Sequence, residues 1–203
     1  MKIEDIIAAV QTKLNIQIDG RAGPETWEAI YAYIVKPDAV SPAEAAEAVE
    51  PGDPRSEKNI ATLQPEVQPI ARALIEKASL SGIRIKVISG LRTFAEQDAL
   101  YGQGRTKPGA KVTNARGGYS NHNFGIAFDV GVFEGNKYLA DSPKYKAVGA
   151  LGMDLGLEWG GNWKTMADQP HFQLRPAWAS GLGERELLAG LRMRAAEGMP
   201  VFA

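Results

Sequence analysis

The sequence predicts an α+β protein, in which a domain with a small sheet and flanking helices follows a short helical segment. Apolar residues recur at three- and four-residue steps in several stretches, which indicates helices, and alternate strictly in others, which indicates strands. The two kinds of stretch take turns along most of the chain. The 203 residues, 44% of them hydrophobic, suffice for one domain of ordinary size and a small module.

Two helices are predicted at the start of the chain. Residues Ile3 to Leu14 carry an amphipathic stripe, and Asp19-Gly20 is typical of a turn. Gly23-Pro24 begins a second helix, which ends before Pro37. We therefore assign residues 1–37 to a helical module. The Ala-, Glu- and Pro-rich stretch that follows predicts a linker at residues 38–55, with a short helix beginning near Ser41-Pro42-Ala43-Glu44 and ending at Pro51-Gly52-Asp53-Pro54.

The rest of the chain, residues 56–203, is predicted to form the main domain. Gly82 is the expected C-terminal stop of its first helix. A stretch rich in Gly, Asn and Lys, residues 108–121, predicts a long loop. The predicted helices lie at 63–80, 93–101, 142–155 and 185–196, and the predicted strands at 83–89, 124–133 and 171–174.

Composition excludes several classes of function. With 23 basic and 24 acidic residues the net charge is −1, so bulk charge does not draw the chain to nucleic acid or to an anionic membrane. No segment approaches the roughly 18 apolar residues of a membrane span, so we expect no membrane insertion. Acidic residues stand at Glu4 and Asp5, where the apolar run of a secretory signal should begin, which predicts synthesis in the cytoplasm without a signal peptide.

A transition-metal site in this chain must use histidine and carboxylate, because there is no cysteine. The two histidines, His122 and His171, each stand at the start of a strand-like segment. After His122, period-two alternation sends Phe124, Ile126 and Phe128 to one face and sends Gly125, Ala127 and Asp129 to the other. A carboxylate at Asp129, backed by a buried apolar face, needs a positive partner.

The second histidine follows Asp168-Gln169-Pro170. Alternation places His171 and Gln173 on one face and Phe172 and Leu174 in the core. Two histidines and one aspartate match the three protein ligands of catalytic zinc, which keeps a fourth position open. Asp168 is then the natural base for the water in that position. Gln173 or a backbone carbonyl could orient the imidazoles, and the sequence leaves that choice open.

These motifs resemble those of a known family. Ser120-x-His122-x-x-Gly125-x-Ala127-x-Asp129, Glu158-Trp159-Gly160-Gly161-Asn162-Trp163 and Asp168-x-Pro170-His171-Phe172 are similar to the zinc peptidases related to D-Ala-D-Ala carboxypeptidases. The likeness is to their L-alanyl-D-glutamate endopeptidase branch, which includes many bacteriophage endolysins. It runs from about Ser56 to Leu174, with Ser89-Gly90-Leu91-Arg92-Thr93 and Glu96-Gln97 included. The resemblance implies a small, mainly antiparallel sheet of the D-Ala-D-Ala metallopeptidase and hedgehog-like kind.

The resemblance also implies a role for each matching position. His122, Asp129 and His171 would bind Zn²⁺, Asp168 would be the catalytic base, and Arg92 would steady the substrate carbonyl as it becomes an oxyanion. The positions expected to contact substrate are Ser120, Trp163 and Gln97; for the first two, simple packing is the alternative. The expected reaction is hydrolysis of the L-Ala-D-Glu bond of the peptidoglycan stem peptide.

Three further expectations complete this reading. Val10-Gln11, Leu14, Asp19-Gly20, Gly23-Pro24, Thr26 and Ala29 resemble a small peptidoglycan-binding module; the alternative is a helical hairpin packed on the main domain. Bacterial peptidoglycan is the expected partner, and we expect a monomer. The predicted lack of a signal peptide fits a phage endolysin released through a pore made by a holin-type protein; a cytoplasmic recycling enzyme and an unusual export route are the alternatives.

Two other functions fit the same residues. A D-Ala-D-Ala carboxypeptidase would share the metal site but needs a second cation in the cleft for the terminal carboxylate of its substrate; Arg84, Lys86 and Arg105 are the candidates. A non-catalytic, zinc-containing wall-binding protein is the other alternative. Asp168 favours an enzyme, because a purely structural site has no use for a base.

Overall fold

The computed structural model describes residues 2–14, 16–35 and 53–203. The chain divides into two compact units, residues 1–49 with 80–82, and residues 50–79 with 83–203. The predicted linker at 38–55 and its short helix near Ser41 lie almost entirely outside the described residues. The predicted boundaries of the module and the main domain therefore stay predictions.

The first unit contains the two predicted helices, α1 (Ile3–Leu14) and α2 (Pro24–Val35). Gln11 of α1 is 1% exposed and connects α1 with the turn and with α2. Its amide nitrogen donates to Asp19 Oδ1 at 2.7 Å and to Thr26 Oγ1 at 3.0 Å, and its oxygen accepts from the backbone nitrogen of Gly20 at 2.9 Å. Because a buried amide is costly without partners, this hub fixes the path of the chain between the helices.

The described part of the second unit has five α-helices. They are α3 (Pro54–Ile60), α4 (Gln68–Leu80), α5 (Phe94–Gly102), α6 (Lys144–Asp154) and α7 (Glu184–Glu197). The sequence did not predict α3, because Pro51-Gly52-Asp53-Pro54 is also typical of the end of a helix. Asp53 and Pro54 begin a helix instead: Asp53 Oδ2 accepts from the backbone nitrogen of Ser56 at 2.9 Å, and Pro54 is the first residue of the helix. None of the described helices has the length and apolar content that a membrane crossing requires.

The sheet is small and antiparallel. Its strands are β1 (Arg84–Ser89), β2 (Ala127–Glu134), β3 (Lys137–Leu139), β4 (Glu158–Trp159) and β5 (His171–Gln173). The order is β1-β2-β5-β4, with β3 folded back on the end of β2. The predicted α+β class with a small antiparallel sheet is confirmed. The register pairs Asp129 with His171 on β5 and with Ser89 on β1, so the centre of the sheet gathers residues that are far apart in sequence.

One strand prediction is wrong in its start. The strand predicted at 124–133 begins at Ala127, because Asn121–Phe124 form a 3₁₀ turn that ends at Gly125 with φ +69°. Phe124 consequently packs against α7, in a cluster separate from the main core that holds Phe128. His122 therefore lies on a turn, whereas His171 does begin a strand as predicted.

The main core lies between the sheet and helices α4 and α6. Phe128 and Phe172 stack across β2 and β5 with ring centroids 5.9 Å apart. Glycines of α6 let the helix approach the sheet closely. A Cβ added at Gly149 would lie 2.4 Å from the Trp159 ring, and one added at Gly152 would lie 2.3 Å from Phe172. Close packing against α6 therefore fixes the positions of β4 and β5.

Candidate active site

The two histidines and Asp129 meet at the centre of the sheet. His122 Nε2 lies 3.2 Å from Asp129 Oδ1 and 3.3 Å from His171 Nδ1, and His171 Nδ1 lies 3.4 Å from Asp129 Oδ1. His122 and His171 are 2% and 6% exposed. The strand pairing of β2 with β5 brings Asp129 opposite His171, and the 3₁₀ turn brings His122 back over them. The structure thus brings together the three predicted metal ligands.

These three side chains fit a zinc ion. Each offers one ligand atom, and the three atoms lie within 4.8 Å of one another. Two imidazole nitrogens and one carboxylate oxygen are the donors of many catalytic zinc sites, which use three protein ligands. Arg92 pairs with one oxygen of the Asp129 carboxylate, and a cation between the three donors would compensate the other oxygen and the two imidazole lone pairs. The donor set and the burial therefore agree on a metal centre.

Hydrogen bonds on the outer side of each ring decide which nitrogen can bind a metal. His122 Nδ1 lies 2.8 Å from the carbonyl oxygen of Gly90, and His171 Nε2 lies 3.0 Å from Gln173 Oε1. Both partners accept, so each of these nitrogens carries the proton and the other nitrogen keeps a lone pair facing Asp129. Both orienting groups left open by the sequence are present, one for each histidine.

Gly90 can reach His122 because it has no side chain. The residue is buried after the end of β1, and a Cβ there would lie 2.5 Å from the carbonyl oxygen of Asn59 and 2.5 Å from Thr62 Oγ1. Those atoms belong to the end of α3 and the turn after it. The segment after β1 is thus pressed against α3, which fixes the Gly90 carbonyl that faces His122.

The charges of the cluster shift its titration. Burial alone would raise the pKa of Asp129, but His122 and His171 hold it well below its ordinary value. Burial alone would lower the pKa of His171, but the hydrogen bond and charge of Asp129 raise it. Asp129 is therefore a carboxylate in this environment, as a metal ligand must be.

Arg92 lies against the ligand Asp129. Its Nη2 donates to Asp129 Oδ2 and, at 3.0 Å, to Ser89 Oγ, and it lies 3.4 Å from His122 Nε2. Arg92 also lines the cavity in front of the cluster. The sequence predicted a cation here but not its pairing with the carboxylate of Asp129.

Gln97 lies behind Arg92 rather than on the cavity wall. It is fully buried, and its Oε1 accepts from Arg92 Nη1 at 3.3 Å. Its Nε2 donates to the carbonyl oxygen of Ala115 at 3.0 Å. This position suits Gln97 to hold Arg92 and the loop before His122, and it offers substrate no exposed surface.

A cavity of about 920 Å³ opens in front of the cluster. Ser120, Trp163 and Asp168, all predicted site residues, are part of its lining, and the loop residues Val112 and Met166 stand at its rim. The Trp163 ring centroid is 4.9 Å from that of His171, and the side chain is 41% exposed. The three predicted residues are therefore at the place where a substrate would approach the metal ligands.

Asp168 is exposed at the rim of this cavity. The cavity walls partly desolvate its carboxyl, and Asp129 adds a like charge; both raise the pKa of Asp168 above its ordinary value. Its backbone is fixed on both sides, because its nitrogen donates to Gly160 and its carbonyl oxygen accepts from His171. A carboxyl held beside the metal ligands with a raised pKa is suited to accept a proton.

A ring of polar side chains behind His171 was not predicted. It runs through Glu158, Gln173, Asn121, Glu184 and Arg175, and we call it the carboxylate–amide ring. Glu158 belongs to a motif of the sequence that predicted no role for it. The other four residues are separated from it by 15 to 37 positions in the sequence. Nothing in the local sequence indicates that these five residues meet.

The comparisons with known proteins agree with this geometry. A family model described as D-alanyl-D-alanine carboxypeptidase matches residues 113–174, which contain the whole cluster and Asp168. The peptidoglycan L-alanyl-D-glutamate endopeptidase CwlK of Bacillus subtilis (strain 168) is 40% identical over 126 residues, which are 56% of this chain and 74% of the relative. The chain belongs to this family of peptidases. It is a metallopeptidase with a His-Asp-His centre.

Two other proteins share part of the chain. The L-alanyl-D-glutamate peptidase of a Listeria phage is 31% identical over 124 residues, which cover 59% of this chain and 40% of that relative. The crystal structure of the Serratia marcescens L-Ala D-Glu endopeptidase ChiX has a TM-score of 0.48 and 28% identity, and covers 59% of this chain and 86% of that one. The family's description names a carboxypeptidase, whereas the Bacillus subtilis and Listeria phage relatives are named for the L-alanyl-D-glutamate bond, so the bond that is cut is the remaining question.

Proposed function

We propose that this protein is a zinc-dependent peptidoglycan endopeptidase that hydrolyses the L-Ala-D-Glu bond of the stem peptide. The observation that carries the proposal is the buried His122, Asp129 and His171 cluster facing a cavity that Asp168 lines. The names of the relatives in Bacillus subtilis and the Listeria phage support the same bond.

The cations of the cavity favour an endopeptidase over a carboxypeptidase. A carboxypeptidase binds a free terminal carboxylate and needs an uncommitted cation for it. Arg92 is the one lysine or arginine among the described residues that line the cavity, and it already pairs with Asp129. Lys86 pairs with Asp53 at 2.7 Å, and Arg105 donates to the carbonyl oxygens of Tyr101 and Thr113.

The third candidate cation is Arg84. Its Nη1 lies 3.5 Å from the carbonyl oxygen of Gly135, at the turn between β2 and β3. It is not part of the cavity lining. None of the three cations considered from the sequence is therefore placed to hold a terminal carboxylate.

The residues of the site divide the work of hydrolysis. When bound by His122, Asp129 and His171, a zinc ion supplies a Lewis acid that activates water and polarises the scissile carbonyl. Asp168 accepts the proton of the attacking water and returns it to the leaving amine, since its raised pKa suits both steps. The mechanism needs no covalent intermediate on the protein.

Arg92 has two roles in this proposal. Its guanidinium holds Asp129 through Nη2, which orients the ligand carboxylate. Although Asp129 pairs with it, Arg92 also lines the cavity, and a charge that only develops on a substrate oxygen needs less compensation than a free carboxylate. Ser89 and Gln97 stabilise the guanidinium in this position.

Digestion of purified peptidoglycan tests the proposed bond. We expect new L-Ala carboxyl termini and D-Glu amino termini, identified by mass spectrometry, and loss of both after chelation of the metal. The Asp168→Ala protein should retain zinc and its affinity for the wall but lose cleavage. Release of D-Ala alone would establish the carboxypeptidase instead, and wall binding without any cleavage would establish a binding protein.

The place and mode of action belong to the same proposal. We infer that the enzyme acts as a monomer on the cell wall, with the first unit as a wall-binding module, and that it is made in the cytoplasm and reaches the wall through a holin-type pore. Gel filtration of the purified protein and pull-down of residues 1–37 fused to a reporter with isolated wall test the first two points.

A further inference from the structure

We propose that Glu158 and Glu184, tied together by Arg175, set the tautomer of His171 and so make its Nδ1 the metal-binding atom. This assigns Glu158 as a positioning residue of the metal centre, although it is not a ligand. The inference rests on the metal site of the proposed function and adds the cause of its geometry.

The carboxylate–amide ring begins at the side chain that contacts His171. Gln173 is 1% exposed, and its two amide ends have different partners. Its Oε1 faces His171 Nε2 at 3.0 Å and also accepts from Asn121 Nδ2 at 2.6 Å. Its Nε2 donates to Glu158 Oε2 at 2.7 Å.

Glu158 fixes the direction of the Gln173 amide. An ionised carboxylate can only accept, so the NH₂ end of Gln173 must face Glu158. The oxygen end then faces His171, whose Nε2 must donate. If the amide turned over, its NH₂ would oppose the N–H of His171 and its oxygen would meet the Glu158 carboxylate, leaving buried polar groups unpaired.

Glu184 fixes the second amide by the same logic. Asn121 is 5% exposed, and its Nδ2 donates both to Glu184 Oε1 and to Gln173 Oε1. Because Glu184 accepts only, the NH₂ of Asn121 cannot turn away, and it presents a second donor to the Gln173 oxygen. The Oδ1 of Asn121 has no hydrogen-bond partner among the described residues, which shows that the nitrogen end carries its contacts.

Arg175 closes the ring by pairing with both carboxylates. It donates to Glu158 through Nε and, at 3.1 Å, through Nη2, and Nη2 also lies 3.4 Å from Glu184 Oε2. Every hydrogen bond in the ring therefore points towards one of the two carboxylates or towards the Gln173 oxygen. Arg175 and the two carboxylates thus fix the orientation of the buried amides of Gln173 and Asn121, and the Gln173 amide in turn fixes which nitrogen of His171 donates.

The chain is well suited to a direct test, since it has two histidines and hence four ring nitrogens. Imidazole ¹⁵N NMR of the full chain, with zinc and after chelation, reports the tautomer of each ring. We expect His171 with the proton on Nε2 and His122 with the proton on Nδ1. In Glu158→Gln the glutamine can accept or donate, so the chelated protein should show a mixture of His171 tautomers, with His122 unchanged.

Zinc binding gives the second readout. Outer-sphere changes of this kind typically weaken metal binding about 10- to 100-fold, and we expect a rise of about tenfold in the zinc dissociation constant of Glu158→Gln. Glu134→Gln is the matched control, because it removes the same charge from the exposed pair with Lys144 and should change neither readout. An unchanged tautomer and unchanged zinc affinity in Glu158→Gln would overturn the proposal.

A reciprocal exchange keeps the test decisive if Glu158→Gln folds poorly. In the double variant Glu158→Gln with Gln173→Glu, the carboxylate at 173 accepts from His171 and Asn121, and the amide at 158 donates to it. We expect the His171 tautomer of the native protein and a zinc affinity within about threefold of it. A tautomer mixture in this double variant would also overturn the proposal. Neither readout depends on cleavage, so the proposed endopeptidase activity stands or falls separately.

Discussion

The two histidines of the predicted metal centre have similar positions in the cluster but are held by different parts of the protein. His122 donates to a backbone carbonyl, that of Gly90, whereas His171 donates to a side chain, that of Gln173. A carbonyl oxygen accepts whatever the residue that carries it, but an amide side chain can face either way. The tautomer of His122 is thus fixed by the position of the backbone at Gly90, whereas that of His171 depends on the identity of several side chains.

Removing either histidine should reduce zinc affinity more than any change to the groups that support it. We expect His122→Ala and His171→Ala each to weaken zinc binding by more than about a hundredfold, beyond what loss of an outer partner costs. Hydrolysis of peptidoglycan should fall to background in both. Zinc titration with a competing chelator measures the affinity, and a variant that still binds zinc as tightly as the native protein would remove that residue from the site.

Replacing Gln173 should affect only one of the two ligands. In Gln173→Leu the ring nitrogen Nε2 of His171 loses its acceptor, so we expect zinc affinity to fall about 10- to 100-fold. The NMR signals of His122 should stay in place. Gln68→Leu, which removes an amide bonded to the carbonyl oxygen of Leu63 outside the site, is the control and should bind zinc normally. Equal shifts in both histidines would show that the two supports are not independent.

Gly90→Ala should break the other support through the backbone. The new Cβ would lie 2.5 Å from the carbonyl oxygen of Asn59, so the segment must shift and move the carbonyl away from His122. We expect a loss of about 1–3 kcal/mol in the free energy of unfolding, as for other overpacked sites, together with weaker zinc binding. Gly23→Ala is the control, since a Cβ there meets nothing within 4 Å. Denaturant unfolding with native stability in Gly90→Ala would contradict this account.

The smallest effect is expected at the far end of the support of His122. Asp53 caps α3 and pairs with Lys86, and Ser56 on that helix accepts from the backbone nitrogen of Val87 on β1. Asp53→Asn keeps an oxygen that can cap the helix but removes the charge that pairs with Lys86, so it should cost at most about 1 kcal/mol of stability at neutral pH, as a partly exposed ion pair does. Zinc affinity should be unchanged.

The contribution of Asp53 should also depend on pH. Burial alone would raise the pKa of Asp53, but Lys86 and Ser56 lower it below the ordinary 3.8. A carboxyl with a lowered pKa in the folded state contributes stability above its ordinary pKa, and that contribution disappears as the pH falls through the folded value. Unfolding curves of the native protein and Asp53→Asn should therefore converge in acid. A gap that persists below the folded pKa would contradict the assignment.

The sequence could predict that His122, Asp129 and His171 meet, because the signals for this cluster are local. His122 and Asp129 are seven positions apart, and Asp168 and His171 are three apart, so short motifs contain both pairs. Strand pairing of β2 with β5 then joins the two motifs, and the alternation of His171 and Phe172 indicated which face would hold the ligand. The α+β class followed from the same periodicities.

The supports of the ligands could not be predicted, because they depend on contacts between distant segments. Gly90 meets His122 across 32 positions, and Asn121 meets Gln173 across 52. The predicted start of β2 was wrong for a related reason. Phe124, Ile126 and Phe128 share one alternating pattern in the sequence, but Phe124 and Ile126 pack in a second apolar cluster with α7. Local alternation cannot tell one core from two.

The glycines of α6 and the rim of the cavity differ in how well they can tolerate a larger side chain. At Gly149 and Gly152 a Cβ would fall inside the rings of Trp159 and Phe172, so β5 has no room to move back from the site. Val112 and Met166 at the rim of the cavity are 54% and 66% exposed, so a change of size there leaves the buried interior undisturbed. A library of random variants should therefore recover active enzymes with new peptide preferences from substitutions at the rim, and almost none from substitutions at Gly149 and Gly152.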